Sequence, residues 1–161
     1  MTGSPETRGL PPDSENGAFI NFFPEELPAP VLKRQVRSWI EERAFTVGEE
    51  DDHLVFQMGN AFVAVFFYQI PLSSGLVRCL SLEAYALGRY GAQFLDDNDL
   101  AAINEKLRIG RLVRGHKRQV LFIYNVLAEG MKKALFFTVL DAFKNGIDTT
   151  DQQIQILLST T

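Results

Sequence analysis

The chain has 161 residues, 46% of them apolar and 22% charged, which is about one domain and enough to bury a core. A formal net charge of −4 argues against nucleic acid as the main partner, because that binding draws its affinity from cations neutralising phosphates. Cys79 is the only cysteine, no N-x-S/T sequon occurs, residues 1–12 hold no apolar signal core, and the longest near-continuous apolar run is Ala61 to Tyr68. These features exclude an internal disulfide and lead to the expectation of a soluble cytoplasmic protein with no membrane partner.

Six of the seven prolines lie between Pro5 and Pro30, mixed with Gly, Ser, Glu and Asp. Such a stretch cannot form regular ladders, so residues 1–28 are read as a mobile Pro-rich N-terminal tail and residues 29–161 as a single domain. Inside the tail sits Ala18-Phe19-Ile20-Asn21-Phe22-Phe23, a hydrophobic knot that a purely solvating linker would not carry. Phe19, Phe22 and Phe23 are therefore expected to dock, either on the chain's own domain or on another molecule.

Val31, Leu32, Val36, Trp39 and Ile40 recur at helical spacing, and Pro30 suits a first turn, which predicts a helix over about 31–43. Phe45 to Val47, the acidic turn Gly48 to Asp52, and His53 to Met58 read as strand, turn, strand. Gly59-Asn60 turns into a strand over Ala61 to Tyr68, and the loop Gln69 to Gly75 leads to another over Leu76 to Tyr85. Asp96 to Asp99 are cap candidates for a helix carrying Leu100, Ile103 and Leu107, with Gly110 as its left-handed stop. Arg111 to Arg114 and Gln119 to Leu127 read as a hairpin. A third helix over Met131 to Phe143 is expected to close at Asn145-Gly146, and a short final helix to start at Asp148-Thr149-Thr150-Asp151. The class is α+β, an antiparallel sheet with helices in the order α-β-β-β-α-β-β-α.

The two best strands are apolar on both sides. Phe62, Ala64, Phe66 and Tyr68 alternate with Ala61, Val63, Val65 and Phe67, and Val120, Phe122, Tyr124 and Val126 alternate with Leu121, Ile123, Asn125 and Leu127. An antiparallel sheet ordinarily wets one face. Leaving such side chains in water forgoes about 1.5–3 kcal/mol each, so helices, the Phe19–Phe23 knot or another molecule must cover the second face. Phe62, Phe66, Tyr68, Phe122 and Tyr124, with Arg111 and Arg114 from the neighbouring strand, are accordingly the candidate partner-binding residues. For the cations from Lys106 to Arg118 a solvated edge is the first reading: Lys106 and Arg108 suit the last turn of a helix, and charged strands discourage sheet-to-sheet aggregation. An acidic partner or the acidic tail is the second reading, nucleic acid the third.

Catalytic patterns are thin. There is no GxGxxG, no Walker loop and no G-x-S-x-G. His116 falls in a turn, Cys79 has no CxxC neighbour, and Asp96-Asp97-Asn98-Asp99 lacks the glycine and distal glutamate of a calcium loop. Only scattered Glu83, Arg89 and Tyr90 could serve an enzyme, so no catalytic residue, metal site or cofactor is expected and the protein is read as not an enzyme.

The element order, with Ala102-Ile103-Asn104-Glu105-Lys106-Leu107 ahead of Gly110 and a strand pair, and Glu129-Gly130 opening the terminal helix, resembles the bacterial YbjN-domain family over about residues 30–158. That resemblance implies a fold shared with the type III secretion chaperones. It also implies the role of a sensory-transduction or stress regulator, or of a chaperone-like binder of protein segments, working as a homodimer. The expected function is thus a non-enzymatic protein-interaction module with a protein partner. The alternative is a small-ligand sensor whose pocket lies between sheet and helices, with the tail as a lid.

Overall fold

The computed structural model describes residues 29–85 and 87–160; the side chains of residues 29, 30 and 88–90 are not among those described. The tail read from residues 1–28, with its docking residues Phe19, Phe22 and Phe23, lies outside the described residues. Helix α1 (Ala29–Glu42) buries Leu32, Val36, Trp39 and Ile40, the stripe that the helical spacing predicts. A meander follows: β1 (Gly48–Glu49), β2 (His53–Met58), β3 (Ala61–Leu72) and β4 (Gly75–Tyr85). A 3₁₀ segment over Leu87–Phe94 leads to α2 (Asp97–Asn104), then β5 (Arg111–Arg114), β6 (Val120–Leu127) and the long α3 (Lys133–Ser159). The strands form one antiparallel sheet in the order β1-β2-β3-β4-β6-β5. The α+β class matches the sequence reading, and the order of the elements matches it roughly, with four strands ahead of α2 where the expected order has three.

Four local expectations change. Phe45 to Val47 is not a strand, and pairing starts only at Gly48↔Val55. The loop expected over Gln69 to Gly75 is instead strand, with β3 running to Leu72 and the turn confined to Ser73-Ser74. Pro71 is tolerated there because β2 stops at the pair His53↔Phe66, so on that side the missing N–H is not required. α2 ends at Asn104, and Gly110 serves the entry to β5. Its φ of +67° lets the backbone lie against the Phe122 ring and the Ile123 carbonyl, where a Cβ would meet atoms at 2.6–2.8 Å.

The fourth change concerns the C-terminus, where the two expected helices are one helix of 27 residues. Gly146 is no stop. A Cβ at that position would sit 2.3 Å from Phe122 Cζ, so the glycine is there to let α3 approach the sheet. The capping reading of the acidic run does hold: the Asp96 side chain accepts from the Asp99 N–H at 2.8 Å, and Asp99 accepts from the Asp96 N–H at 3.1 Å.

The core lies on one face of the sheet. Leu54, Val65, Leu80, Leu82 and Phe122 pack there with Val36 and Ile40 of α1 and Phe136, Leu140 and Phe143 of α3. Trp39 meets Phe136 at 5.6 Å between ring centroids, and Phe122 stacks on Phe143 at 5.4 Å.

Candidate functional site

The registers decide which side chains share a face. Val65, Leu82 and Tyr124 are cross-strand neighbours on the core side, and so are Ala84, Phe122 and Leu112. One residue further on, Phe66, Ser81 and Asn125 share the opposite face, as do Tyr68, Cys79 and Leu127. Among the described residues the buried core cluster takes its sheet members only from the first face, and no described helix packs on the second. On this open face Phe62 is 59% exposed, Leu127 58% and Tyr68 37%. The smaller Ala64, Val77, Cys79 and Ser81 are buried there outside the core cluster. The face is therefore an apolar floor carrying protruding large side chains.

Apart from Arg111, its polar groups are neutral or internally paired. The Tyr85 hydroxyl donates to Glu83 Oε1 at 2.6 Å, and burial together with that carboxylate pushes the phenol far above its ordinary range. Burial likewise raises the Tyr68 phenol and the Cys79 thiol, so both stay protonated at neutral pH. At the β2 edge the His53 ring stacks on Phe66 at 4.6 Å while Nδ1 meets Asp52 Oδ1 at 2.6 Å. That hydrogen bond holds the Asp52 carboxyl below its usual range. The thiol and the phenols are thus held in their neutral forms, on a face whose large exposed side chains are chiefly apolar. No group of three or more metal-ligating side chains occurs among the described residues, and no helix among them is long and apolar enough to cross a membrane.

No protein-family model matches the chain, and no curated protein does either. A solved structure does: that of YbjN, a proposed transcription regulator from E. coli, superposes with a TM-score of 0.50, covering 84% of this chain and 96% of that one at 13% identity. The fold is that of YbjN. At this identity the likeness is one of architecture, and the YbjN-like frame explains why element order carried the resemblance while individual motifs did not.

On that YbjN-like sheet, Phe62, Phe66, Tyr68 and Arg111 of the expected partner-binding set share the open face, and the other three do not. Phe122 is fully buried under α3, so it cannot meet a partner. Tyr124 is half-buried against the core. Arg114 turns to the core side and ties the segment before α2 to β5. Its Nη2 donates to the Leu95 carbonyl at 2.6 Å, Nη1 to the Arg118 carbonyl at 3.3 Å, and Nε to Asp97 Oδ1 at 3.5 Å. The arginines thus separate by strand alternation, Arg114 structural and Arg111 exposed on the open face with no ion pair to a described residue. Sequence reasoning missed Ile123 and Leu127 as open-face residues. The available signal was Asn125, exposed between them, since a polar residue marks the outward face of a strand that is otherwise apolar on both sides. Of the scattered polar residues weighed for an enzyme, Glu83 is held by Tyr85, and the side chains of Arg89 and Tyr90 lie outside those described.

Proposed function

We propose that this chain is a non-enzymatic protein-interaction module of a regulator, whose open sheet face docks protein and whose working state is a homodimer. The observation that carries the reading is the one-sided core, which leaves Phe62, Tyr68 and Leu127 in water on a sheet whose other face is fully packed. The description of YbjN as a proposed transcription regulator supports the regulatory half of the reading, and the YbjN-like fold is shared by 84% of the chain. Regulation here works through protein contact, because the 16 lysines and arginines of the chain are outnumbered by 20 aspartates and glutamates and the face itself is largely apolar. The alternative of a small-ligand sensor would draw on the cleft of about 480 Å³ that Phe62, Tyr85, Leu87, Ala92, His116 and Val120 line, since the rings of Phe122, Phe136 and Phe143 fill the space under α3. Sedimentation velocity on the full chain tests the proposal. A concentration-dependent dimer is expected, and a monomer across the micromolar range, with no protein segment that binds, contradicts it.

A further inference from the structure

The sheet contains a notch. β2 pairs with β3 only as far as His53↔Phe66, whereas β4 continues to pair with β3 as far as Leu72↔Gly75. Over the six residues Phe67–Leu72, β3 has β4 on one side and no described strand on the other, so alternate backbone groups face outward along a free edge. The start of α1 lies at the same place. Lys33 Nζ donates to the carbonyls of Glu50 and Asp51, in the turn that leads into His53. Leu32 and Phe67, with Tyr68, Gln69, Arg78 and Cys79, line a cleft of about 300 Å³.

α1 therefore begins beside the notch. Ala18–Phe23 ends six Cα steps before Ala29, a reach of at most about 20 Å. Tethered so close, it meets the notch at an effective concentration on the order of millimolar. It has the six residues that the free edge can pair. In an extended conformation Phe19 and Phe23 point to one side and Ile20 and Phe22 to the other, so apolar side chains reach both the Leu32–Phe67 side of the edge and the Tyr68 side.

We infer that Ala18–Phe23 adds in cis as a further strand along Phe67–Leu72, filling the notch and capping the exposed edge of β3. This inference goes beyond the docking role of the open face and does not rest on it. Amide hydrogen exchange on the full chain tests it, because the substituted residues are not among the core residues of the described fold. Alternate amides between Phe67 and Leu72 should exchange about ten-fold faster in the chain carrying Phe19→Ser, Phe22→Ser and Phe23→Ser. The amides of Leu80 and Leu82, inside the sheet, should keep their protection. A separate Asn21→Pro variant, which removes a ladder donor without removing apolar surface, should expose the same amides. Equal rates in wild type and both variants overturn the inference, and so does protection that vanishes on dilution, which assigns the strand to a second copy. The dimer readout is independent: a monomer with a protected β3 edge defeats the docking proposal and leaves this one standing.

Discussion

Phe122 concentrates the packing of this fold in one ring. It stacks on Phe143, and both Gly110 and Gly146 are glycines because that ring leaves no room for a Cβ. Phe122→Ala should cost about 3–5 kcal/mol in urea unfolding, whereas Phe62→Ser, on the open face, should cost under about 1 kcal/mol. Gly146→Ala sets two effects against each other. Helix propensity favours alanine by about 1 kcal/mol, but overpacking against a ring already stacked on Phe143 costs about 1–3 kcal/mol, so net destabilisation is expected. A more stable Gly146→Ala variant would contradict the packing described. Alternation alone placed Phe122 and Phe62 in one class, since each belongs to a strand apolar on both sides. Only the inter-strand register separates them, and register is a property of pairs of segments. A pH effect also belongs at this scale. The Asp52 carboxyl, depressed by its hydrogen bond to His53, contributes stability that is present above the ordinary aspartate range and is lost as pH falls through the lowered value. Between about pH 5 and pH 2 the urea midpoint of wild type should fall further than that of Asp52→Asn; parallel decline would exclude the pair as a contributor.

Elements with local signals were legible, and those set by tertiary contact were not. The first helix, the hairpins and the Asp96 cap each rest on residues a few positions apart, and the structure has them. Asp96→Ala should remove about 1 kcal/mol, measured by urea unfolding, through loss of the capping box; an unchanged midpoint would mean that α2 is held by packing alone. The continuity of α3 was not legible, because Asn145-Gly146 carries a stop signal that the approach of the helix to Phe122 overrides. Nor was the extension of β3 through Pro71, which depends on where β2 ends. The 3₁₀ segment over Leu87–Phe94 was missed for a related reason: Leu87 and Ala92, buried among its described side chains, show neither a helical nor a strand period.

At the scale of the fold, among the described residues, three α-helices cover one face of six strands and leave the other to an apolar floor. The surplus of apolar β surface was readable from Ala61–Tyr68 and Gln119–Leu127. Which half of it stays outside was not, because either face could have met the helices. The result is a frame shared with YbjN at 13% identity. The central claim is that the open face, and not exposed apolar surface in general, makes the contact with protein. α3 supplies the control, since Leu135 is 51% exposed on it. The decisive measurement is sedimentation of the full chain against Phe62→Glu and Leu135→Glu at equal concentration. Phe62→Glu should shift the chain to monomer by burying a charge in the contact, while Leu135→Glu should sediment as wild type does. Loss of association in Leu135→Glu alone, or in neither variant, would contradict the account.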